Sequence, residues 1–349
     1  MSERGLRIHE FDLHSQGPWQ TFVNRHPEAT LFHDLAWKRA VERAFGHRSR
    51  YLIATRNARV VGILPLFEIK SVLAGRLLVS VPYATYGGML TDGPESAAAL
   101  FNKAKGIAAR IGARSIEFRS IKAAVRTLDS VNTHATFRKM LPRRAADVPG
   151  ALPRKARAAA RRAGQRHRLR VEFNTACLPT VWQLYARSMR RLGSVNYPYQ
   201  FFEELVSALG GRSVVQLVFS GDRPVAGLLT FLYRDAVLPY FAGLDERAGI
   251  YGLNNYLYAE SMRWGVEHGY RVYDFGRTRL DNTGSYNFKR SCGFEAQVLE
   301  FQTYVMPGRA APDLAPSSPR WAAARRVWRS LPLPITRPVG GWLAKSIPG

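Results

Sequence analysis

The sequence predicts a mixed α/β (α+β) fold with largely antiparallel sheets, in which one small module occurs twice. A basic helix joins the two copies and a C-terminal tail follows them. Three observations predict this. The order strand, strand, strand, helix, strand recurs in both halves, and self-similarity in the same order is the mark of a duplicated unit. RVVGILPLF resembles RPVAGLLTF, and GARSIEFR resembles GYRVYDFG. No G-x-G-x-x-G follows an apolar run and no G-x-x-x-x-G-K-[ST] occurs, which argues against a doubly wound nucleotide-binding sheet.

In the first half, YLIAT (51–55) and RVVGILPLFEIK (59–70) are β-branched and apolar and flank a short polar turn at Arg56–Asn57, as a hairpin does. VPYATYGGML (81–90) follows as a third strand, then an Ala-rich helix from about Glu95 to Ile111, then the strand GARSIEFRS (112–120). In the second half, VVQLVFS (214–220), a Gly221-Asp222-Arg223 turn and PVAGLLTFLY (224–233) form the hairpin. AVLPYFAGL (236–244) is the third strand. A helix from about Leu253 to His268 places Leu253, Leu257, Met262, Trp264 and Val266 among polar residues. GYRVYDFGR (269–277) closes the module.

Between the halves, LPRKARAAARRAGQRHRLRVEF (152–173) begins with Pro153, well placed for a helix start. Its cations alternate with alanines, and Ala and Arg are strong helix formers. No acid occurs from Arg154 to Val171. A solvated face is the plain reading of such a run. Unneutralised positive charge repels itself, which favours an anionic partner instead. The boundaries that follow are 1–150 for the first module, 151–173 for the linking helix, 174–305 for the second module, and 306–349 for a Pro-rich linker and a basic, Trp-containing tail.

The chain carries 51 Lys+Arg against 26 Asp+Glu, a net charge of +25. The excess points to RNA, a phosphorylated substrate or an acidic membrane surface, without choosing among them. Two cysteines exclude a disulfide framework and a cysteine-rich metal site. His33 and His47 are 14 apart with no ligand-like companions, so no metal is expected. MSERGLRIHEFDLHSQGPW has no apolar core and does not read as a secretory signal. No run approaches the ~20 apolar residues of a membrane span. The expectation is a cytoplasmic protein. Trp321, Trp328 and Trp342 among basic residues leave two readings for the tail: a peripheral contact with the inner membrane surface, or packing back onto the body.

FHDLAWKRAVERAFGHRSRYLIA (32–54), VVGILPLFEIKS (60–71), YGGML (86–90), LPRKARAAARRA (152–163), YARSMRRLG (185–193), VLPYFAG (237–243), NNYLYAE (254–260), YDFGR (273–277) and GSYNFKRSCGF (284–294) come in an order that resembles the FemAB-like proteins. These are tandem acetyltransferase-fold (GNAT-like) transferases. The chain is most similar to the branch associated with PEP-CTERM/exosortase exopolysaccharide systems, over roughly residues 5 to 305. The resemblance implies transfer of an acyl or aminoacyl group onto an amine of a cell-envelope or exopolysaccharide precursor. It implies a donor on an activated carrier, aminoacyl-tRNA or acyl-CoA, with no resident cofactor. The partners implied are a nucleotide- or lipid-linked sugar and, on one reading, tRNA. Two departures stand out. No long coiled-coil insertion interrupts the second module. The segment Arg247-Ala248-Gly249-Ile250-Tyr251-Gly252 departs from [RQ]-x-x-G-x-[GA], the loop that offers backbone N–H groups to the pyrophosphate of acetyl-CoA.

The stretch FGRTRLDNTGSYNFKRSCGF (275–294) reads as a solvated turn or as a loop built to hold an anion. The resemblance implies that Lys289 faces the donor's phosphates or 3′ end and stabilises charge during transfer. Phe288 is expected to stack on a terminal base, with a core phenylalanine as the plain alternative. Arg277 either clamps phosphate or pairs with Asp274, and Arg290 joins the donor cations. Tyr286 donates to a carbonyl oxygen or sits in the core. Gly276 and Gly284 permit close backbone approach. Glu117 and Asp274 occupy equivalent positions and are candidate bases; a Glu117–Arg119 salt bridge is the plain reading. For the acceptor the candidates are Lys38, Arg39, Tyr86, Gly87, Gly88, Arg157, Arg161 and Asn255. The two glycines are read as leaving room for a ligand. Asn254 and Asn255 read first as helix N-caps. The rival functions are an acetyl-CoA-dependent GNAT N-acetyltransferase and a non-catalytic RNA or anionic-polymer binder.

Overall fold

The computed structural model describes residues 5–314 and 318–349. It divides into two compact units. One holds Met1–Thr133, Val298–Ser318 and Trp342–Gly349; the other holds His134–Gln297 and Pro319–Gly341.

In the first unit, Leu52–Arg56 pairs antiparallel with Arg59–Leu64. Asn57 and Ala58 between them both have positive φ (49° and 61°), the twist that a two-residue hairpin turn needs. Pro65 has no N–H to give to a ladder, and the apolar run breaks there into two strands. Arg59–Leu64 stays in a small sheet with Leu6–Glu10 and Leu90–Thr91, while Leu66–Ser71 pairs with Gly75–Ser80. The third strand is therefore Gly75–Ser80, which corrects the sequence expectation of 81–90. Residues 81–89 form a loop in which Val81, Tyr83 and Gly87 have positive φ, unlike a strand, and only Leu90 of the segment enters a strand, Leu90–Thr91. The helix Pro94–Ile111 starts with Pro at its first turn and ends at Gly112 in the left-handed region. Its Leu100, Ala104 and Ile107 pack with Leu52, Leu64, Leu78 and Phe118. Ser115–Phe118 then runs parallel to Gly75–Ser80 at two positions, Leu78–Ile116 and Val79–Glu117.

The second unit repeats this. Ser213–Ser220 and Arg223–Tyr233 form the hairpin, and Ala236–Leu244 pairs antiparallel with the latter. The helix Leu253–Glu267 crosses over to Val272–Arg279, which pairs parallel to Ala236–Leu244 at only Ala236–Val272 and Val237–Tyr273. Aligning GARSIEFR with GYRVYDFG puts Ile116 on Tyr273, so the short parallel contacts of the two copies overlap there, offset by one residue. On the far side of Val272–Arg279 lies part of the strand Ser130–Met140, antiparallel.

The basic helix Arg154–Arg166 belongs to this second unit. It buries Ala156, Ala159, Ala160 and Ala163 and leaves Arg154, Lys155, Arg157, Arg161, Arg162 and Arg166 exposed. Its alanine side meets Leu253–Glu267 closely: a Cβ on Gly252 would lie 2.4 Å from the Ala159 carbonyl oxygen, and one on Gly164 would lie 2.8 Å from the Tyr256 ring. Small residues are what allow that approach.

The tail is built into the fold. In the second unit, Trp328 Nε1 donates to the Ser194 carbonyl at 3.0 Å and Asn196 donates to the Arg337 carbonyl at 3.1 Å. In the first, the Pro348 carbonyl accepts from the Arg119 guanidinium at 2.9 Å and from the Tyr83 N–H at 2.7 Å. Among the described residues, no helix is long and apolar enough to cross a membrane.

Candidate active site

The two-residue parallel contact in the second unit has a chemical consequence. Ala236–Leu244 has nine residues and Val272–Arg279 has eight, yet they share one short contact at their starts and then part. Two strands that separate in the middle of a sheet leave a wedge lined by main chain. Both walls are irregular. On one, Leu229 faces Phe241 and Thr230 faces Pro239, so Tyr240 is an extra residue, a β-bulge. On the other, Asp274 faces Arg138 and Arg277 faces Thr136, so Phe275 and Gly276 oppose a single residue. Gly276 sits at φ 66°, which glycine adopts without strain. Bulges are over-represented beside active sites because they re-aim groups that a regular ladder would tie up.

Lys289 holds the second bulge. Its Nζ donates to the carbonyl oxygens of Phe275 at 2.8 Å, Gly276 at 3.0 Å and Arg277 at 3.2 Å. Three donors meet three acceptors. The ammonium also lies 5.2 Å from the Phe137 ring centre and 5.6 Å from that of Phe275. Asp274 closes the turn from the other side, accepting from the Gly276 N–H at 2.9 Å and facing Arg138 at 3.4 Å. Burial pushes the Lys289 pKa down to about 7, against the pull of Asp274.

This corrects the expectation that Lys289 presents a phosphate-gripping rim: it is buried, and its donors go to main chain. The reason is local. The stretch after Arg279 is a helix, Thr283–Ser291, capped by the Asn282 side chain on the Ser285 N–H. Asn-Thr-Gly-Ser reads as a turn but forms the cap and first turn of this helix, whose period carries Lys289 inward. Phe288 is corrected likewise: its partly buried ring meets Tyr258 and Phe275 in the core rather than awaiting a base. Tyr286 is half-buried, edge-on to Phe137. Gly284 lies in the helix, where an added Cβ would make only an ordinary contact with Asn282 Oδ1 at 3.9 Å, so close approach is not its reason. Arg277 is half-buried at the wedge, and Arg290 is exposed at the end of the helix.

Asn255 and Asn254 lie inside the first turn of Leu253–Glu267, whose N-cap is Gly252; neither is the cap. The Asn255 amide meets Cys292 Sγ at 3.8 Å, and the Asn254 carbonyl oxygen is buried without a partner. The preceding loop is turned in on itself. Asp245 Oδ1 accepts from the Arg247 N–H, the Asp245 carbonyl from Ala248, and the Glu246 carbonyl from Gly249. Burial raises the Asp245 pKa, but the Arg223 and Arg187 guanidiniums outweigh it and hold the carboxyl below its usual range.

In the first unit, Glu117 pairs with the buried Arg119, Oε1 to Nε, at 2.8 Å. Lys38 is corrected: its ammonium is taken by Glu42 at 2.8 Å and 2.9 Å and lies 5.2 Å from the Phe11 ring. Arg39, next to it, is exposed. Tyr86 is buried edge-on to Phe32. Gly87 and Gly88 leave no room for a ligand, which corrects their reading: added Cβ atoms would lie 2.8 Å from Val81 and 2.0 Å from Ser120 Oγ. His33 and His47 are structural. His33 Nδ1 accepts from the Thr30 N–H and Nε2 faces the Gly88 carbonyl at 2.9 Å, while burial pulls its pKa to about 4. Among the described residues no cluster of His, Cys, Asp and Glu could hold a metal ion.

Tyr240, Arg138 and Asp245 were missed as site-shaping residues. A bulge depends on pairing register, which no local signal encodes. Arg138 comes from a strand, SVNTHATFRKM, too polar to stand out. A cavity of about 430 Å³ lies elsewhere in the second unit, at the C-terminal end of Leu253–Glu267 among Phe173, Asn174, Trp264, His268 and Tyr270.

A family model described as an acetyltransferase (GNAT) domain matches residues 152–290. That span holds the basic helix, the wedge and the Lys289 helix, but not Arg138. Among solved structures, the chain is similar to FemX (TM-score 0.63, 16% identity, 86% of this chain and 97% of that one). It is similar to a tandem GNAT protein from the clavulanic acid biosynthesis pathway (0.56, 12%, 86% and 98%). It is also similar to L-PGS from Bacillus licheniformis (0.56, 13%, 99% and 99%). No curated protein sequence matches it. The fold is that of tandem GNAT modules, and residues 152–290 carry a domain of the acetyltransferase type.

Proposed function

We propose that the chain is a FemAB-like transferase that moves an acyl or aminoacyl group onto an amine of a phosphorylated cell-envelope precursor, of the kind built in exopolysaccharide systems of the PEP-CTERM type. The observation that carries the reading is the wedge between Ala236–Leu244 and Val272–Arg279, bulged on both walls and latched by Lys289. The acceptor nitrogen attacks the donor's carbonyl carbon, a C–N bond forms, the bond from that carbon to the carrier's oxygen or sulfur breaks, and the proton lost by the amine ends on that leaving oxygen or sulfur. Main-chain groups held rigidly at a wedge suit that chemistry, because a preorganised site need not reorganise as charge develops. Lys289 is the positioning residue that holds one wall.

The carrier favoured is aminoacyl-tRNA over acyl-CoA. Three N–H groups of the 247–252 loop are spent inside the loop, which weakens it as a pyrophosphate cradle. The exposed arginines of Arg154–Arg166, with no acid near them in sequence, suit a phosphate backbone.

Purified protein should transfer a labelled amino acid from charged tRNA to an amine-bearing nucleotide- or lipid-linked sugar. Transfer from acetyl-CoA alone would overturn the choice of donor, and no transfer from either donor, with RNA binding intact, would leave a polymer binder. Arg157→Glu with Arg161→Glu is expected to weaken tRNA binding by roughly tenfold or more at low salt and to flatten its salt dependence. Filter binding across a salt series measures both.

A further inference from the structure

The helix Leu333–Ala344 faces the opposite way from an ordinary surface helix. Its buried residues are small or polar: Thr336, Gly340, Gly341 and Ala344. Gly340 lies against Asn196, where an added Cβ would meet the side-chain oxygen at 2.4 Å, and Gly341 lies against Pro198. Its exposed residues are apolar. Ile335 is 47% exposed, Val339 39% and Trp342 60%, with Pro338 exposed between them. At about 100° per residue these four share an arc of roughly 100° on one side of the helix, the width of a stripe made to be covered. The preceding helix, Ala322–Ser330, adds Val327, 58% exposed, beside exposed Arg326 and Arg329. No acid occurs after Asp313, while Arg320, Arg325, Arg326, Arg329, Arg337 and Lys345 do.

We infer that this face docks on an anionic phospholipid bilayer, with Ile335, Pro338, Val339 and Trp342 entering the headgroup boundary and the tail's cations meeting lipid phosphates. An apolar stripe ending in tryptophan and flanked by arginine and lysine is the composition of a helix that lies in a membrane interface. Charge complementarity selects this occupant. A second copy of the chain on the same face would set like charges against like, since a twofold contact pairs each patch with itself. The inference needs neither donor nor acceptor, so it stands apart from the proposed transfer reaction.

The test is co-flotation of the full chain with phosphatidylcholine vesicles, with and without about 30 mol% phosphatidylglycerol. The chain should float with the anionic vesicles at least about tenfold better than with the neutral ones, and less well in high salt. Ile335→Asp with Val339→Asp should lose about tenfold or more of that binding while the chain stays folded with a melting temperature lowered by only a few degrees, because both residues are already partly exposed to water. Arg326→Glu with Arg329→Glu should weaken binding to anionic vesicles only. Absence of flotation by the unaltered chain, or equal flotation by the Asp variant, overturns the inference. So does light scattering in which the unaltered chain is a dimer and the Asp variant a monomer, since the stripe is then a self-association face.

Discussion

Lys289→Met is expected to flatten the pH dependence of stability between about pH 7 and pH 10. In the folded chain burial holds the lysine near pH 7; unfolded, it returns to its ordinary value near 10.5. Below pH 7 both states carry the proton and pH has no leverage. Between those values the unfolded chain binds the proton and the folded chain has released it, so stability rises with pH across the window. The gain reaches on the order of 4 kcal/mol at its alkaline end. The three carbonyls around Nζ favour the charged form and work against burial. Methionine carries no proton, so its stability curve lacks that rise. Urea unfolding of both proteins from pH 6 to pH 10 gives the comparison, and curves that stay parallel would sink the idea. Transfer activity is expected to fall by about 100-fold, mostly in kcat, because a wall displaced by about 1 Å misaligns the reacting groups.

Much of the fold was legible because its strands and helices are locally consistent. Ala236–Leu244 occurs where the apolar run predicts it, and Leu253–Glu267 ends within a residue of its pattern. Pro65 and the capping Asn282 were visible, but each acts through a partner that the sequence does not display. The proline splits a run whose halves join different sheets. The asparagine turns what reads as a loop into a helix. The same limit governs the site. The residue types at Asp274, Gly276 and Lys289 mark the place, but the direction in which Lys289 points is set by the period of a helix that the Asn282 cap starts, where the sequence reads as a turn. The glycines of 86–88 mislead for a related reason: absence of a side chain marks close approach, and only coordinates tell whether the visitor is a ligand or Ser120.

Gly243→Ala is expected to destabilise the second unit by about 3 kcal/mol or more, among the largest effects of any single methyl group in the chain. Gly243 pairs directly with Gly227, and the helix Leu178–Leu192 lies across the two. A Cβ on Gly243 would sit 2.2 Å from the Leu184 carbonyl carbon and 2.2 Å from the Tyr185 nitrogen. Both are main-chain atoms inside a helix, so no rotamer change relieves the contact; the helix must lift or the strand must bend. At Gly227 the same methyl would meet Val181 at 3.0 Å, partly through a side chain that can shift. Gly227→Ala should accordingly cost less, about 1 kcal/mol. Thermal and urea melts of the two variants test the ordering, and equal melting temperatures would refute it. Gly243 lies three residues beyond the Tyr240 bulge on the same strand, so bending of that strand moves a wall of the wedge. The Gly243 variant should therefore lose transfer activity even at temperatures where it remains folded, while the Gly227 variant keeps most of its own.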